Sequence, residues 1–180
     1  DVCSSDLAGV YNYSKLARDM NGEWSMVLIN GRDLTVEEVI RVCRNDEEVK
    51  LTGEAEKNVQ KARDYIEKKL AEKAVIYGLT TGFGKFSNVV ISNEETEKLQ
   101  RNLIISHTCS MGEAYPREQV RAAMLLRCNA LARGNSGIRL STLKTLIDML
   151  NRGVHPIVPQ KGSLGASGDL APLSHIALGL

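Results

Sequence analysis

The chain has 180 residues, of which 43% are hydrophobic, so it is long and apolar enough to bury a core and disorder is not expected. Its net charge of +1 argues against a nucleic acid or a membrane surface as the main partner, and no apolar run is long enough to span a bilayer. Cys43, Cys109 and Cys128 lack metal-ligand spacing, so we expect reduced thiols, no metal site and a cytoplasmic protein.

The N-terminal segment is not expected to belong to the fold. Residues 1–7 are similar to a translated sequencing adapter, and residues 8–25 have the character of translated upstream sequence. Both are therefore set aside in predicting the fold, as a tag would be. Met26 is the expected natural first residue.

A strand and two helices are predicted next. Val27-Leu28-Ile29 predicts a strand that ends in a tight turn at Asn30-Gly31. Thr35 and Glu38 form the capping-box pattern that opens a short helix. Residues 54–73 predict a highly charged helix with a thin apolar stripe, whose charges form a solvated face.

A glycine-punctuated loop follows the apolar residues 74–76, and it has the sequence Tyr77-Gly78-Leu79-Thr80-Thr81-Gly82-Phe83-Gly84. Its glycines permit positive φ angles and tight turns. A phosphate-binding loop is excluded, because Leu79 and Ser87 stand where the two glycine-rich patterns require glycine. Taken alone, Tyr77 is open to either interpretation, a packing residue or a catalyst.

The next helix is expected to end at a histidine. Ser92 and Glu95 form a capping-box pattern, and the helix that they open runs to His107. Leu99, Leu103 and Ser106 are expected to share one face. A histidine at a helix C-terminus usually acts as a cap, where the helix dipole favours imidazolium.

Two further helices are predicted at residues 116–133 and 141–151, separated by a break at 134–137. Both carry apolar side chains at helical spacing, which are Val120, Ala123, Met124 and Leu131 in the first and Leu143, Leu146, Ile147 and Leu150 in the second. The prolines at 156 and 159 favour an extended linker over a central strand.

The most informative run lies near the end of the chain and reads Lys161-Gly162-Ser163-Leu164-Gly165-Ala166-Ser167-Gly168-Asp169-Leu170-Ala171-Pro172-Leu173-Ser174-His175. Asp169 can cap a helix and Pro172 fits its first turn. The spacing of Leu173, Ile176, Ala177 and Leu180 predicts that this helix includes Leu180. A serine hydrolase stays only a distant alternative, because Asp169 stands where a nucleophile elbow on Ser167 needs glycine.

This run resembles the aromatic amino acid ammonia-lyases, whose motif is Gly-Ser-x-Gly-Ala-Ser-Gly-Asp-Leu-x-Pro-Leu. The resemblance implies that Ala166, Ser167 and Gly168 form the prosthetic group 4-methylidene-imidazol-5-one (MIO) autocatalytically, with no external cofactor. To close the ring, the amide nitrogen of Gly168 attacks the carbonyl carbon of Ala166, and two small residues leave that approach unhindered. Loss of the Ser167 hydroxyl leaves an electrophilic methylene, so Ser167 is a predicted catalytic residue.

The resemblance extends to two upstream segments. In the family, the Tyr-Gly-x-x-Thr-Gly-Phe-Gly loop is an active-site lid, which implies that Tyr77 is the base that removes the substrate β-proton. The implied loop residues are Gly78, Thr81, Gly82, Phe83 and Gly84. Ser106 and His107 are similar to the histidine-specific branch and imply substrate binding. Residues 125–139 also look like the family, and we assign them a structural role.

The implied fold is mainly α, the N-terminal part of a large helical-bundle lyase with a small mixed α/β region at its N-terminus. Residues 26–110 are expected to form the N-terminal region with the active-site loop, and residues 111–180 the start of a truncated central helical domain. Because family members run on for several hundred residues, we expect an inactive fragment of a homotetrameric enzyme.

The expected reaction is the non-oxidative deamination of L-histidine to trans-urocanate and ammonia, a step of histidine catabolism. Within the same class, the alternatives are a tyrosine or phenylalanine ammonia-lyase and an MIO-dependent aminomutase. From another class, the alternative is a non-catalytic helical subunit or pseudoenzyme. The expected partner is a small-molecule amino acid, with no nucleic acid and no membrane.

Overall fold

A computed structural model describes residues 26–86, 89, 91, 93–165 and 168–180. The segments 1–7 and 8–25 therefore lie outside the described residues, and so does Ser92, the predicted cap of the helix that ends at His107. The mainly α fold that was predicted is confirmed in the described part of the chain. Its helices are α1 (Val36–Asn45), α2 (Gly53–Ala71), α3 (Asn93–His107), α4 (Arg117–Ala132), α5 (Leu140–Asn151) and α6 (Leu170–Ala177). Its strands are β1 (Met26–Ile29), β2 (Glu48–Leu51), β3 (Met111–Ala114) and β4 (Pro159–Lys161), and a short 3₁₀ helix spans Gly84–Phe86.

The chain begins with a β1–α1–β2 unit. Strand β1 confirms the predicted strand, and it pairs in parallel with β2, so that Val27 lies opposite Val49. The predicted turn after β1 is also confirmed, since the Asn30 side-chain oxygen accepts hydrogen bonds from the backbone N–H groups of Arg32 and Asp33, at 2.8 and 3.1 Å. Alternate side chains of both strands are buried, so one face of this small sheet contributes to the core.

Helix α1 begins with the capping box that its sequence predicted. The Thr35 backbone N–H donates to Glu38 Oε2 at 2.8 Å, and the Glu38 N–H donates to Thr35 Oγ1 at 3.3 Å. Each bond satisfies a donor that the first helical turn leaves without a backbone partner. The helix ends at Asn45, and the left-handed backbone of the cap residue Asp46 turns the chain toward β2.

Helix α2 is two residues shorter than predicted at its C-terminus and begins one residue earlier. Thr52 caps it, because its hydroxyl accepts a hydrogen bond from the Ala55 N–H at 3.1 Å. The predicted apolar stripe faces the protein, with Val59 buried. The predicted solvated face carries ion pairs such as Lys69–Glu72 at 2.7 Å.

Helices α4 and α5 confirm the two predicted helices, and their predicted apolar faces pack together in the core. Leu143 and Leu150 are completely buried, as are Met124 and Leu125 of α4. The break after α4 places Gly134 at a positive φ of 73°, where a Cβ atom would stand 2.5 Å from the carbonyl carbon of Asn58 in α2. Only glycine fits this close approach, which supports a structural role for the segment.

The last part of the chain confirms one prediction and corrects two. Residues 154–158 are irregular, as the predicted linker requires, and Pro159 is the first residue of β4, which pairs antiparallel with β3. The prediction that α6 includes Leu180 is wrong, because the helix ends at Ala177. Gly179 has low helix propensity, and its N–H bonds to the Ile176 carbonyl three residues back, which tightens and closes the last turn. Asp169 does occupy the N-cap position of α6, as predicted, but its side chain makes no capping hydrogen bond.

The described helices include none that is long and apolar enough to cross a bilayer. In the described part of the chain, Cys43 and Cys128 are buried free thiols, and Cys109 is an exposed one.

We expect unfolding to become easier at alkaline pH, and Cys128 to be a main cause. Burial raises the pKa of the Cys128 thiol to about 12, from an ordinary value of 9.0. The native state therefore keeps this proton in a pH range where the unfolded chain loses it. The contribution of this thiol to the free energy of unfolding is fully present below about pH 9 and is lost as the pH rises toward 12.

The measurement is urea denaturation of the protein between pH 8 and pH 11. The free energy of unfolding should fall by up to about 1.4 kcal/mol per pH unit for each such thiol. Cys128→Ala should make the slope shallower, whereas Cys109→Ala, at the exposed thiol, should leave it unchanged. Equal slopes in parent and Cys128→Ala would contradict the expectation.

Candidate active site

The predicted lid segment forms a turn-rich loop between α2 and the 3₁₀ helix. Tyr77 is 64% exposed, and its ring packs edge-to-face against Phe83, with centroids 5.9 Å apart. The Tyr77 hydroxyl oxygen accepts a hydrogen bond from the Gly84 backbone N–H at 3.3 Å. The predicted base therefore lies over its own loop, with its oxygen acting as an acceptor.

The peptide that follows Tyr77 is held tightly. Gly78 has a φ of +70°, and a Cβ atom there would stand 2.8 Å from Cε1 of Phe83, so a side chain does not fit. Thr81 is 1% exposed, and its hydroxyl accepts from the Gly78 N–H at 3.2 Å while donating to the Gly82 carbonyl at 3.0 Å. Thr81 therefore braces the loop from within.

Helix α3 ends at the predicted substrate-binding pair. His107 Nδ1 lies 2.8 Å from the Leu103 carbonyl oxygen, and the Ser106 hydroxyl donates to the same oxygen at 2.9 Å. Because a carbonyl oxygen only accepts, this contact assigns the ring hydrogen to Nδ1. In a neutral imidazole, the acceptor is then Nε2.

Gln100 is a site residue that sequence reasoning missed. Its side-chain Nε2 donates to the Gly78 carbonyl oxygen at 3.2 Å, which joins α3 to the loop. A signal for it existed in the sequence, since Gln100, Leu103 and His107 have the i, i+3, i+7 spacing of one helix face. A polar side chain on the face that carries His107 was a candidate for the site.

The tripeptide itself is described only through its flanks, because Ala166 and Ser167 lie outside the described residues. Gly165 and Gly168 have φ angles of +65° and +109°, and nothing lies within 4 Å of the place where a Gly168 Cβ would stand. This open, left-handed backbone fits a Gly168 nitrogen that must approach the preceding Ala166 carbonyl. Asp169 accepts a hydrogen bond from the Ser163 hydroxyl at 2.6 Å, which ties the two ends of the loop together.

Helix α6 connects these parts, since it begins two residues after Gly168 and packs against α3. A mostly apolar cavity of about 560 Å³ lies between α4, α6 and the residues Ser163 and Asp169. Among the described residues that line it, Tyr77, Ser106 and His107 do not occur. The Tyr77 loop is thus hydrogen-bonded to α3, which also carries Ser106 and His107. Helix α3 in turn packs against α6, the helix that comes after Gly168. The described residues contain no cluster of side chains suited to a metal ion.

The family model for aromatic amino acid lyases matches residues 34–180. The chain belongs to the aromatic amino acid lyase family. The resemblance that the sequence motifs indicated is therefore confirmed.

Individual lyases and related enzymes are similar to the chain over most of its length. The histidine ammonia-lyase of Alkaliphilus oremlandii is 57% identical over 152 residues, which are 84% of this chain and 30% of the relative. Among solved structures, ergothionase from Treponema denticola has a TM-score of 0.81 and 36% identity, over 86% of this chain and 31% of its own. The histidine ammonia-lyase of Trypanosoma cruzi has a TM-score of 0.79 and 35% identity, over 86% and 29%. The chain thus spans about 30% of the length of these lyases and related enzymes.

Proposed function

We propose that this chain is part of a histidine ammonia-lyase, which releases ammonia from L-histidine and leaves trans-urocanate. The similarity to the Alkaliphilus histidine ammonia-lyase carries this proposal, because it reaches 57% identity over 84% of the chain. The match to the family model includes the loop, the α3 end and the tripeptide. The test is to assay the full-length protein for urocanate absorbance and ammonia release with histidine as substrate. Absence of both products would contradict the proposal.

We infer that Ala166, Ser167 and Gly168 are the residues that form MIO. The positive φ angles on both sides of Ala166 and Ser167, and the open space at Gly168, support this assignment. When formed, the group supplies an electrophilic methylene conjugated with a carbonyl. Helix α6 begins two residues after Gly168, and its N-terminal dipole favours negative charge at this position.

Tyr77 is the proposed general base. The Gly84 N–H donates to one lone pair of its hydroxyl oxygen, which fixes the position of the atom that would take the substrate β-proton. Its 64% exposure supports access for a substrate entering beneath the loop. Phe83 packs against one edge of the ring and limits its rotation.

His107 is proposed to orient the imidazole of the substrate. Because Nδ1 of His107 bonds to the Leu103 carbonyl, Nε2 is the acceptor that a substrate ring N–H requires. A phenyl ring offers no such hydrogen and would leave the acceptor without a partner. This difference costs about 1–3 kcal/mol, which corresponds to roughly tenfold to hundredfold discrimination.

Changing the pair Ser106–His107 to Phe-Leu is expected to shift substrate preference. In the full-length protein, kcat/KM for histidine should fall by roughly tenfold to hundredfold and that for phenylalanine should rise, because the acceptor is replaced by an apolar side chain. The measurement compares kcat/KM for histidine, phenylalanine and tyrosine by product absorbance.

His155→Leu is the matched control for this pair. The His155 imidazole also bonds through Nδ1 to a backbone carbonyl, that of Gly153 at 2.9 Å, but it lies in the segment after α5. It should leave substrate preference unchanged. A parent enzyme that prefers tyrosine or phenylalanine would contradict the histidine assignment, and the ammonia-lyase chemistry would survive.

We further propose that the full-length enzyme works in the cytoplasm as a homotetramer. Free thiols at Cys43, Cys109 and Cys128 fit a reducing compartment. Exposed apolar side chains, with Ile157 at 77% and Leu164 at 92%, fit burial against further protein. Sedimentation of the full-length protein measures the assembly directly.

A further inference from the structure

The two peptide groups that flank the Gly78 α-carbon are each held by a side-chain hydrogen bond. The Gly78 N–H donates to the Thr81 hydroxyl at 3.2 Å, a bond inside the loop. The Gly78 carbonyl accepts from Gln100 Nε2 at 3.2 Å, a bond that crosses 22 residues to α3. Rotation of the peptide before the Gly78 α-carbon would break the bond to Thr81. Rotation of the peptide after it would break the bond to Gln100 of α3.

Gln100 lies on the same helix as the pair that is proposed to bind the substrate. Gln100 precedes His107 by seven positions in α3. Because a helix rises 1.5 Å per residue, the two residues lie about 10 Å apart along its axis. Both have the spacing of one face. A rigid helix thus carries the loop contact at one place and the Ser106–His107 pair at another.

We propose that Gln100 is a positioning residue, which fixes the Tyr77 loop relative to the substrate-binding end of α3. This inference rests on the proposed function, because it holds that the Gln100 side-chain amide sets the distance between the proposed base, Tyr77, and the substrate. The orientation of Tyr77 depends on the backbone of the glycine that follows it, and glycine by itself holds no fixed φ. Misplacing a catalytic group by about 1 Å costs on the order of 100-fold in rate.

The test uses variants of the full-length protein that differ in hydrogen-bond donation at this position. Gln100→Met keeps the length but donates nothing, and Gln100→Lys keeps a donor. Gln100→Glu donates only when it is protonated. Gln60→Met is the matched control, since Gln60 bonds to Asp64 on the exposed face of α2, at 2.8 Å.

Two readouts are compared, which are amide hydrogen exchange of residues 77–84 and steady-state kinetics with histidine. In Gln100→Met, the loop amides should exchange faster and kcat should fall about tenfold to hundredfold, with KM nearly unchanged. Gln100→Lys should restore much of kcat. For Gln100→Glu, the ratio of its kcat to that of the parent should rise as the pH is lowered toward the glutamate pKa, a response that a packing role would not produce.

Each outcome separates the two proposals. Unchanged loop exchange in Gln100→Met, or faster exchange with kcat equal to that of the parent, would overturn the role of Gln100. Equal effects of Gln60→Met and Gln100→Met would overturn it as well. If the parent releases no ammonia from histidine while loop exchange still rises in Gln100→Met, the proposed function fails and the contact is supported.

Discussion

Ser167→Ala in the full-length protein is expected to remove nearly all turnover of histidine. Ring closure joins the Gly168 nitrogen to the Ala166 carbonyl carbon and releases that carbonyl oxygen as one water. The Ser167 hydroxyl leaves with the Ser167 α-hydrogen as the second water, and alanine has no hydroxyl to lose. Removal of a covalent catalytic group costs other enzymes on the order of 10⁴–10⁶ in kcat, so the residual activity should be below detection.

Three measurements check this result, which are intact mass, near-ultraviolet absorbance and kcat. The parent should be lighter than its encoded mass by two waters and should absorb in the near ultraviolet, whereas Ser167→Ala should show neither. Ser141→Ala is the matched control, because Ser141 is an exposed serine of α5 and lies outside the run that carries the tripeptide. It should keep the mass loss. A parent with an unmodified tripeptide and full activity would rule out MIO.

Arg121→Met is expected to destabilise the protein by about 3–5 kcal/mol, because it removes two hydrogen bonds from a charged donor, each of which contributes about 1.5–3 kcal/mol. Arg121 is 1% exposed, and its guanidinium donates to the carbonyl oxygens of Val42 and Leu150, each at 2.8 Å. Both carbonyls lie in the last turns of their helices, α1 and α5. The Leu150 carbonyl also accepts from the Gly153 backbone N–H at 3.2 Å, so the Val42 carbonyl depends more on Arg121. Methionine fills the space but donates nothing, so both helix ends lose a buried partner.

Charge adds to this effect. Burial lowers the pKa of the Arg121 guanidinium, and Asp46, at 3.0 Å, opposes that shift. A cation at two helix C-termini also interacts favourably with both dipoles. The positive charge is therefore kept in the core by two carbonyls and one carboxylate.

The measurement is urea denaturation of parent and variants, followed by circular dichroism. Arg117→Met is the matched control, because Arg117 lies on the same helix and bonds to the same carboxylate, Asp46, at 2.6 Å. Arg117 is part of an exposed ion pair, so its loss should cost at most about 1 kcal/mol. Equal destabilisation by the two variants would show that the buried carbonyl contacts contribute little.

Local sequence determined much of the helical structure and the family. The Thr35–Glu38 capping box joins residues three apart, and apolar spacing in α4 and α5 needs only a neighbouring turn. Such signals are readable because the interacting residues are close in the chain. The tripeptide and its neighbours indicated the family for the same reason, since the motif is continuous. The roles of Tyr77, Ser106 and His107 stay predictions.

Tertiary structure decided what distant residues do. Pairing of β1 with β2, the contact of Gln100 with Gly78, and the contact of Arg121 with Val42, 79 residues away, depend on how the helices pack. Arg117 and Arg121 lie one turn apart on the same helix, and residue type alone does not show which of them is buried. Burial separates them, because a charge in the core must find partners there, whereas one at the surface is solvated by water.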